Sequence, residues 1–404
     1  MPRFGFGFGF NIAGANIGSS LPLVPKFVST WDTELTDATA SATKTIVLPM
    51  TAGPEVDWGD GTINNLNSHV YSVGGQYDIT IDDTNSDFRF NNLGDKTKII
   101  DVSQCNGLNI TNNSVFRGCG NLEWSATDAP DITATNLDSL FLHCVVMDGD
   151  LGAWDVSSVT RMVNMFFNCP DFQGSGLEDW DVGNCDNFTQ MFYAAHNLAA
   201  PIGVWDMSSA TNIAGMFRAS NGFNEELDDW DVSSVQTMNH VFAGTSSFDR
   251  YIGSWDVGSV QTTHAMFSSI NYNEDITGWV FGSSIRDLSW MFAGNGTFDQ
   301  DISGWNVAAA TSFNYMLGNA SSFNQDLTGL DFGSATNLTT MLDNCGMSTA
   351  NYDLFIINLD GQTINSGLTL GAQSMTYTLG GAGETARTSL ITNDLTSFVG
   401  DSGV

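Results

Sequence analysis

Trp154–Cys169 reads WDVSSVTRMVNMFFNC, and the reading of this stretch decides the fold. Val159, Met162, Met165, Phe166 and Cys169 recur at steps of three and four residues, the spacing of one face of a short helix. Ser157 or Ser158 stands where an N-cap would. Outward from this stretch the pattern repeats. Tryptophans fall at 154, 180, 205, 230, 255, 279 and 305, and Leu330 takes the next slot. A second column runs Met165-Phe166, Met191-Phe192, Met216-Phe217, Val241-Phe242, Met266-Phe267, Met291-Phe292, Met316-Leu317 and Met341-Leu342, and reaches back to Leu140-Phe141 and Val115-Phe116. A third contains Phe172, Phe223, Phe248, Phe298 and Phe323. Between columns, stretches such as Phe298–Val307 (FDQDISGWNV) alternate apolar residues with glycine and predict a short strand and turn.

These columns define about ten units of about 25 residues over residues 99–350. One strand and one short helix per unit predict an α/β repeat fold, a leucine-rich-repeat-like solenoid of about ten coils. No unit can bury its apolar face alone, so stacking must bury Trp, Met and Phe as ladders. The WD pairs do not make a propeller, whose period is about 40–45 residues. Residues 27–98 lie outside the repeat. Ile46–Leu48, Val56–Gly61 (VDWGDG), His69–Tyr71 and Tyr77–Ile81 read as strands and turns of an N-terminal β-sandwich. Residues 351–404 read as a C-terminal cap, with Tyr352–Leu359 and Gly380–Ile391 as its helices. Residues 1–26 form an arm of alternating Phe and Gly followed by Pro22 and Pro25.

The 404 residues carry 45 Asp and Glu against 12 Lys and Arg, a formal charge of −33. From Ile99 onward there are 34 acids, six arginines and no lysine. A phosphate-tracking nucleic-acid binder needs clustered cations and is excluded. Docking on an anionic membrane is disfavoured for the same reason. No run of 18 apolar residues predicts a spanning helix, so membrane insertion is not expected. MPRFGFGFGF lacks an apolar helical stretch and does not read as a secretory signal, which suggests a protein not exported by the usual route.

Several columns invite chemistry. Asp155, Asp181, Asp206, Asp231 and Asp256 follow the tryptophans and are candidates for Ca²⁺, a hard cation that takes oxygen ligands. They equally suit turns in which the carboxylate accepts backbone N–H groups, and Val280 and Asn306 in the same slot favour that reading. Asp150, Glu226, Asp275, Asp301 and Asp326 form a second acidic column, read as a solvated face. Cys119, Cys144, Cys169 and Cys345 share a slot that elsewhere holds Ala195, Ser220, Thr245 and Ala320, which marks a packing position rather than a disulfide or metal site. No histidine falls in HExxH, and no catalytic residue is expected. Phe4, Phe6, Phe8 and Phe10 would share one face of an extended strand and are candidates for anchoring to a partner.

The unit WDVSSVTRMVNMFFNCPDF, with its best copies at Trp154–Phe172 and Trp230–Phe248, resembles the repeat of BspA-family leucine-rich-repeat surface proteins. KFVSTWDT (Lys26–Thr33), VDWGDG, FNNLGDKTK (Phe90–Lys98) and ATDAPDIT (Ala126–Thr133) resemble that family's PKD-like N-terminal domain and its junction. LTLGAQSMTY (Leu368–Tyr377) and ETARTSLI (Glu384–Ile391) resemble its C-terminal cap. The resemblance implies adhesive surface proteins. The short Phe-Gly opening is similar instead to phage structural proteins. Together these suggest a non-enzymatic virion component (fibre, spike or capsid decoration) that displays its repeats for host attachment. Its partners would be other virion proteins through the arm, and a host surface glycan or protein. A homo-oligomer is compatible with the pattern. The alternatives are a bacterial surface or secreted adhesin of the same family and a carbohydrate-active enzyme with an unrecognised carboxylate pair.

Overall fold

The structure is a computed structural model that describes residues 26–82, 84 and 87–404. Phe27, Ser29 and Trp31 alternate with Val28, Thr30 and Asp32, and the first set is fully buried, the period of two that makes β1 (Phe27–Asp32) a strand. β2 (Thr45–Val47), β3 (Val56–Asp57), β4 (Ile63–Asn64), β5 (Ser68–Val70), β6 (Gln76–Ile81), β7 (Ile99–Gln104), β8 (Asn109–Ile110), β9 (Glu123–Trp124) and β10 (Asp131–Ile132) follow. One six-stranded sheet has the order β4-β3-β6-β1-β7-β9, and β2 pairs with β5 beside it. Residues 27–98 therefore do not close as a separate β-sandwich. β1 pairs with β7, and β7 pairs in parallel with β9, so the sheet passes straight into the repeats.

The expected α/β leucine-rich-repeat-like solenoid is overturned. Among the described residues there are two α-helices, α1 (Thr349–Asp360) and α2 (Ala382–Asn393), and neither lies in a repeat unit. The rest is short strands, turns, loops and two single-turn 3-10 helices, Leu177–Asp179 and Ile202–Val204. Where the three-and-four spacing predicted a helix, the chain makes a run of tight turns. The reason is two left-handed residues per unit. Ser139, Asn164, Gln190, His240, Trp290 and Tyr315 have φ between 54° and 60° just before the Met-Phe column. His143, Asn168, Ala194, Ala219, Ser269 and Asn319 have φ between 56° and 66° four residues later. An α-helix requires φ near −63°, so it cannot pass through either position.

Holding a non-glycine residue there costs on the order of 1 kcal/mol, which hydrogen bonds across units offset. The N–H groups of Leu137, Ser139, Phe141 and His143 donate to the carbonyls of Arg161, Val163, Met165 and Phe167 at 2.8–2.9 Å. The N–H groups between them, on Leu140 and Leu142, close turns onto Leu137 and Ser139. The strand of each unit shrinks to one residue. Asn136, Arg161, Asn187, Asn212, Thr237, Thr262, Asp287, Ser312 and Asn337 are joined in sequence by single parallel bridges.

The ladders that stacking demanded are present. Phe116, Phe141, Phe166, Phe192, Phe217, Phe242, Phe267 and Phe292 stack with ring centroids 5.5–5.9 Å apart. Beside them the column tryptophans are buried, and from Trp180 to Trp305 each indole N–H reaches the preceding unit. Trp180 donates to the carbonyl of Leu151 at 2.9 Å, Trp205 to Leu177 at 2.7 Å and Trp230 to Ile202 at 2.9 Å. The stack ends on β11 (Leu368–Gly371), where Leu342 donates to Gly371. β12 (Thr376–Tyr377), β13 (Leu395–Val399) and β14 (Ser402–Gly403) complete two parallel pairs, β11 with β13 and β12 with β14, next to α1 and α2.

Candidate ligand-binding groove

The two left-handed columns also shape the surface. On one face of the stack they border an open groove of about 750 Å³ that crosses six successive units, from Tyr193 to Asn319. Small residues form its floor: Ala219, Ala243, Gly244, Ser269, Ala293 and Gly294. Gly244 and Gly294 have φ of 72° and 69° and sit in the same column as Ala219 and Ser269. The column one turn earlier supplies large side chains, His240, Trp290 and Tyr315.

Of the eleven tryptophans, ten are at most 4% exposed and Trp290 is 42% exposed. Its ring lies 4.4 Å from that of Tyr315, tilted by 52°. At the other end of the groove the Arg218 guanidinium lies 5.7 Å over the Tyr193 ring, which stacks on Phe167 at 4.4 Å. Between these ends His240 and His264 are 4.9 Å apart. Burial pushes the His240 pKa down to about 4, and Arg218 and His264 add to the shift, so this imidazole is neutral at pH 7. No Asp or Glu lines the groove, in a chain with 45 of them.

His264 Nδ1 lies 2.7 Å from Ser289 Oγ and 3.9 Å from Asp287 Oδ2. A Ser-His-Asp relay needs the serine and the carboxylate on opposite ring nitrogens. Here both face Nδ1, so the trio cannot pass a proton from serine to histidine while the aspartate orients the ring. The arrangement offers aromatic faces, hydrogen-bonding edges and one guanidinium to a ligand lying along the stack.

The acidic columns have a different job. The Oδ1 of Asp155, Asp206, Asp231 and Asp256 accepts the N–H two residues on, from Ser157, Ser208, Ser233 and Gly258, at 2.9–3.1 Å. Asp181 does the same with Gly183 at 3.1 Å. Asp150, Asp275, Asp301 and Asp326 repeat this turn four residues before the tryptophan slot. Among the described residues no group of three or more His, Cys, Asp or Glu side chains gathers to hold a metal ion. Cys105, Cys119, Cys144, Cys169, Cys185 and Cys345 are all free and buried. The thiols of Cys144 and Cys169 donate to the carbonyls of Phe116 and Phe141, as the hydroxyl of Thr245 does to Phe217. Phe4, Phe6, Phe8 and Phe10 lie outside the described residues.

Sequence reasoning missed the groove. A usable signal existed: Trp290 is the tryptophan out of register with 279 and 305, in a slot held elsewhere by His240, Ala265 and Tyr315. His264 and Ser289 are one period apart in a single slot, so their contact follows from the register once the units stack.

A fold of stacked turn units with an open side groove defines the class: a repeat protein that offers an extended surface. A family model described as a Mycoplasma protein of unknown function, DUF285, matches residues 111–217, 135–251, 198–284 and 251–355. These overlapping matches span more than half of the chain, and the chain belongs to this family. The family is associated with BspA-like surface repeat proteins. No curated protein and no solved structure matches the chain. No helix among the described residues is long and apolar enough to cross a membrane.

Proposed function

We propose that this chain is a non-enzymatic adhesion protein, carried on a phage virion as a fibre, spike or capsid decoration, whose stack presents the groove to a host surface. One observation carries this reading: the 42% exposed Trp290 beside the half-buried Tyr315, above a floor of small residues, in a chain whose other tryptophans are all buried. An exposed indole beside a second ring is costly to leave in water and suits contact with flat sugar rings or an apolar partner. The groove is open along its length, which suits a long ligand better than a small substrate. The geometry of Ser289, His264 and Asp287 supports a non-catalytic role. The Phe4–Phe10 stripe is the segment we assign to mounting on the particle.

A second reading, an adhesin on a bacterial surface, is favoured by the family's description as a Mycoplasma protein. Mass spectrometry of purified virions and surface biotinylation of bacteria separate the two carriers. Adhesion itself is tested by binding of the labelled full chain to host cells. Trp290→Ala is expected to abolish attachment without lowering the melting temperature. Undiminished attachment of that variant would overturn the role given to the groove.

A further inference from the structure

Four of the six arginines beyond residue 99 have settled partners. Arg161 pairs with Asp138 at 3.0 Å, Arg250 with Glu226 at 3.1 Å and Arg387 with Asp401 at 2.7 Å, while Arg286 donates to backbone carbonyls of Ser283 and Ile285 at 2.7 Å. Arg218 forms no ion pair among the described residues, and it is the arginine in the groove. Arg117 and Arg286 also lack a carboxylate partner among the described residues, but neither lines the groove, which makes Arg218 the cation available to a ligand there. The groove around it is free of Asp and Glu along its lining.

We infer that the groove binds a carboxylate-bearing polysaccharide, with Arg218 taking a sugar carboxylate and the Trp290–Tyr315 pair stacking on rings further along the same chain. The inference rests on the adhesion reading and names its ligand class. A guanidinium presents parallel N–H donors that match a carboxylate in two bonds, and stacking on Tyr193 holds that fork in place. The distant acids do not forbid an anion. At physiological ionic strength the screening length is about 8 Å, so a carboxylate in the groove responds to the nearby guanidinium more than to the net charge. The two ends are three rungs apart, with Phe217, Phe242, Phe267 and Phe292 beneath at spacings of 5.9, 5.9 and 5.7 Å. A single terminal sugar cannot reach both ends, whereas a polysaccharide can. The neutral His240 imidazole lies along the way as a hydrogen-bond partner for hydroxyl groups.

The test uses the full chain with polygalacturonate, polysialic acid and hyaluronan, each beside its carboxyl-reduced neutral form. The expected result is that at least one acidic polymer binds about tenfold or more tightly than its reduced partner. Arg218→Gln should bring the two to equal, weak affinity. Trp290→Ala should weaken both. Arg250→Gln, which breaks an ion pair outside the groove, should change neither, and melting curves should show all three variants folded. If every acidic polymer binds no better than its reduced form, or if Arg218→Gln keeps the preference, the inference is overturned. Attachment of the wild-type chain to host cells that still depends on Trp290 would, in that case, leave the adhesion reading standing. Attachment indifferent to Trp290 would remove both.

Discussion

The sheet block and the repeat stack face the same excess of carboxylates and satisfy it in different proportions: both use turn N–H groups, but only the sheet block uses lysines. In the sheet block Asp32, Asp57 and Asp60 also accept a backbone N–H two residues on, but lysines add a second means. Lys26 pairs with Asp82 at 3.0 Å, Lys96 with Asp37, and the fully buried Lys98 with Asp95 at 3.8 Å. Lys98 Nζ also donates to the carbonyls of Ser41, Ala42 and Thr45 at 2.7–3.0 Å, while Asp95 accepts from the N–H groups of Ser41 and Val47. In the stack, backbone N–H groups take that role, one per aspartate, inside the turn that the aspartate opens. This explains how ten units dispense with lysine. A turn carboxylate needs no partner from another element, so it can recur in every unit. A buried ion pair needs a unique arrangement of the segments around it, and the fully buried one, Lys98 with Asp95, lies in the sheet block.

The comparison can be broken at several points. The largest effect is expected from Lys98→Met, which leaves Asp95 buried without its cation. Chemical denaturation should show a loss of about 3–5 kcal/mol. A loss as small as that of a surface change would remove the pair from the centre of the sheet block. Next comes Trp230→Phe in the stack, which deprives the Ile202 carbonyl of its 2.9 Å donor; the expected cost is about 1–3 kcal/mol. Asp231→Ala should cost at most about 1 kcal/mol, because the freed N–H of Ser233 sits where water reaches it. If Asp231→Ala proved as damaging as Lys98→Met, the two regions would not differ in the way described.

The smallest effect is in pH. His240 has a folded pKa of about 4, below its ordinary 6.5, so the unfolded chain binds more protons between those values. The contribution of His240 is fully present above pH 6.5 and is lost as the pH falls toward 4, and His240→Gln should flatten that slope in melting curves. The turn aspartates act lower. Hydrogen bonds from Ser157, Ser208 and Ser233 hold Asp155, Asp206 and Asp231 below their ordinary 3.8, so their contribution persists above pH 3.8 and disappears as the pH falls through the folded values.

Much of this architecture was legible in the sequence, and the parts that were not have physical causes. The 25-residue register placed Trp154, Met165 and Phe166 inside, and all three are buried. The same register said nothing about backbone sign. A left-handed residue at Asn164 or Gln190 leaves the apolar spacing unchanged, so the pattern of a helix survived where no helix forms. The turn role of Asp155 was readable because Asx turns are local. The pair formed by Asp95 and Lys98 was hidden, since its meaning depends on Ser41 and Thr45, more than fifty residues away. The groove lay in between. Trp290 broke register visibly, but Arg218 looked like any other arginine until its neighbours were known to carry no carboxylate.

The most direct measurement follows from Trp290 being the exposed indole among ten buried ones. Intrinsic fluorescence of the full chain is recorded while the surface polysaccharide of the host is added, for the wild type and for Trp290→Phe. The expected result is a saturable change in emission for the wild type and none for the variant. An equal change in both, or a polysaccharide that binds without altering wild-type emission, would contradict the assignment of the groove as the adhesive surface.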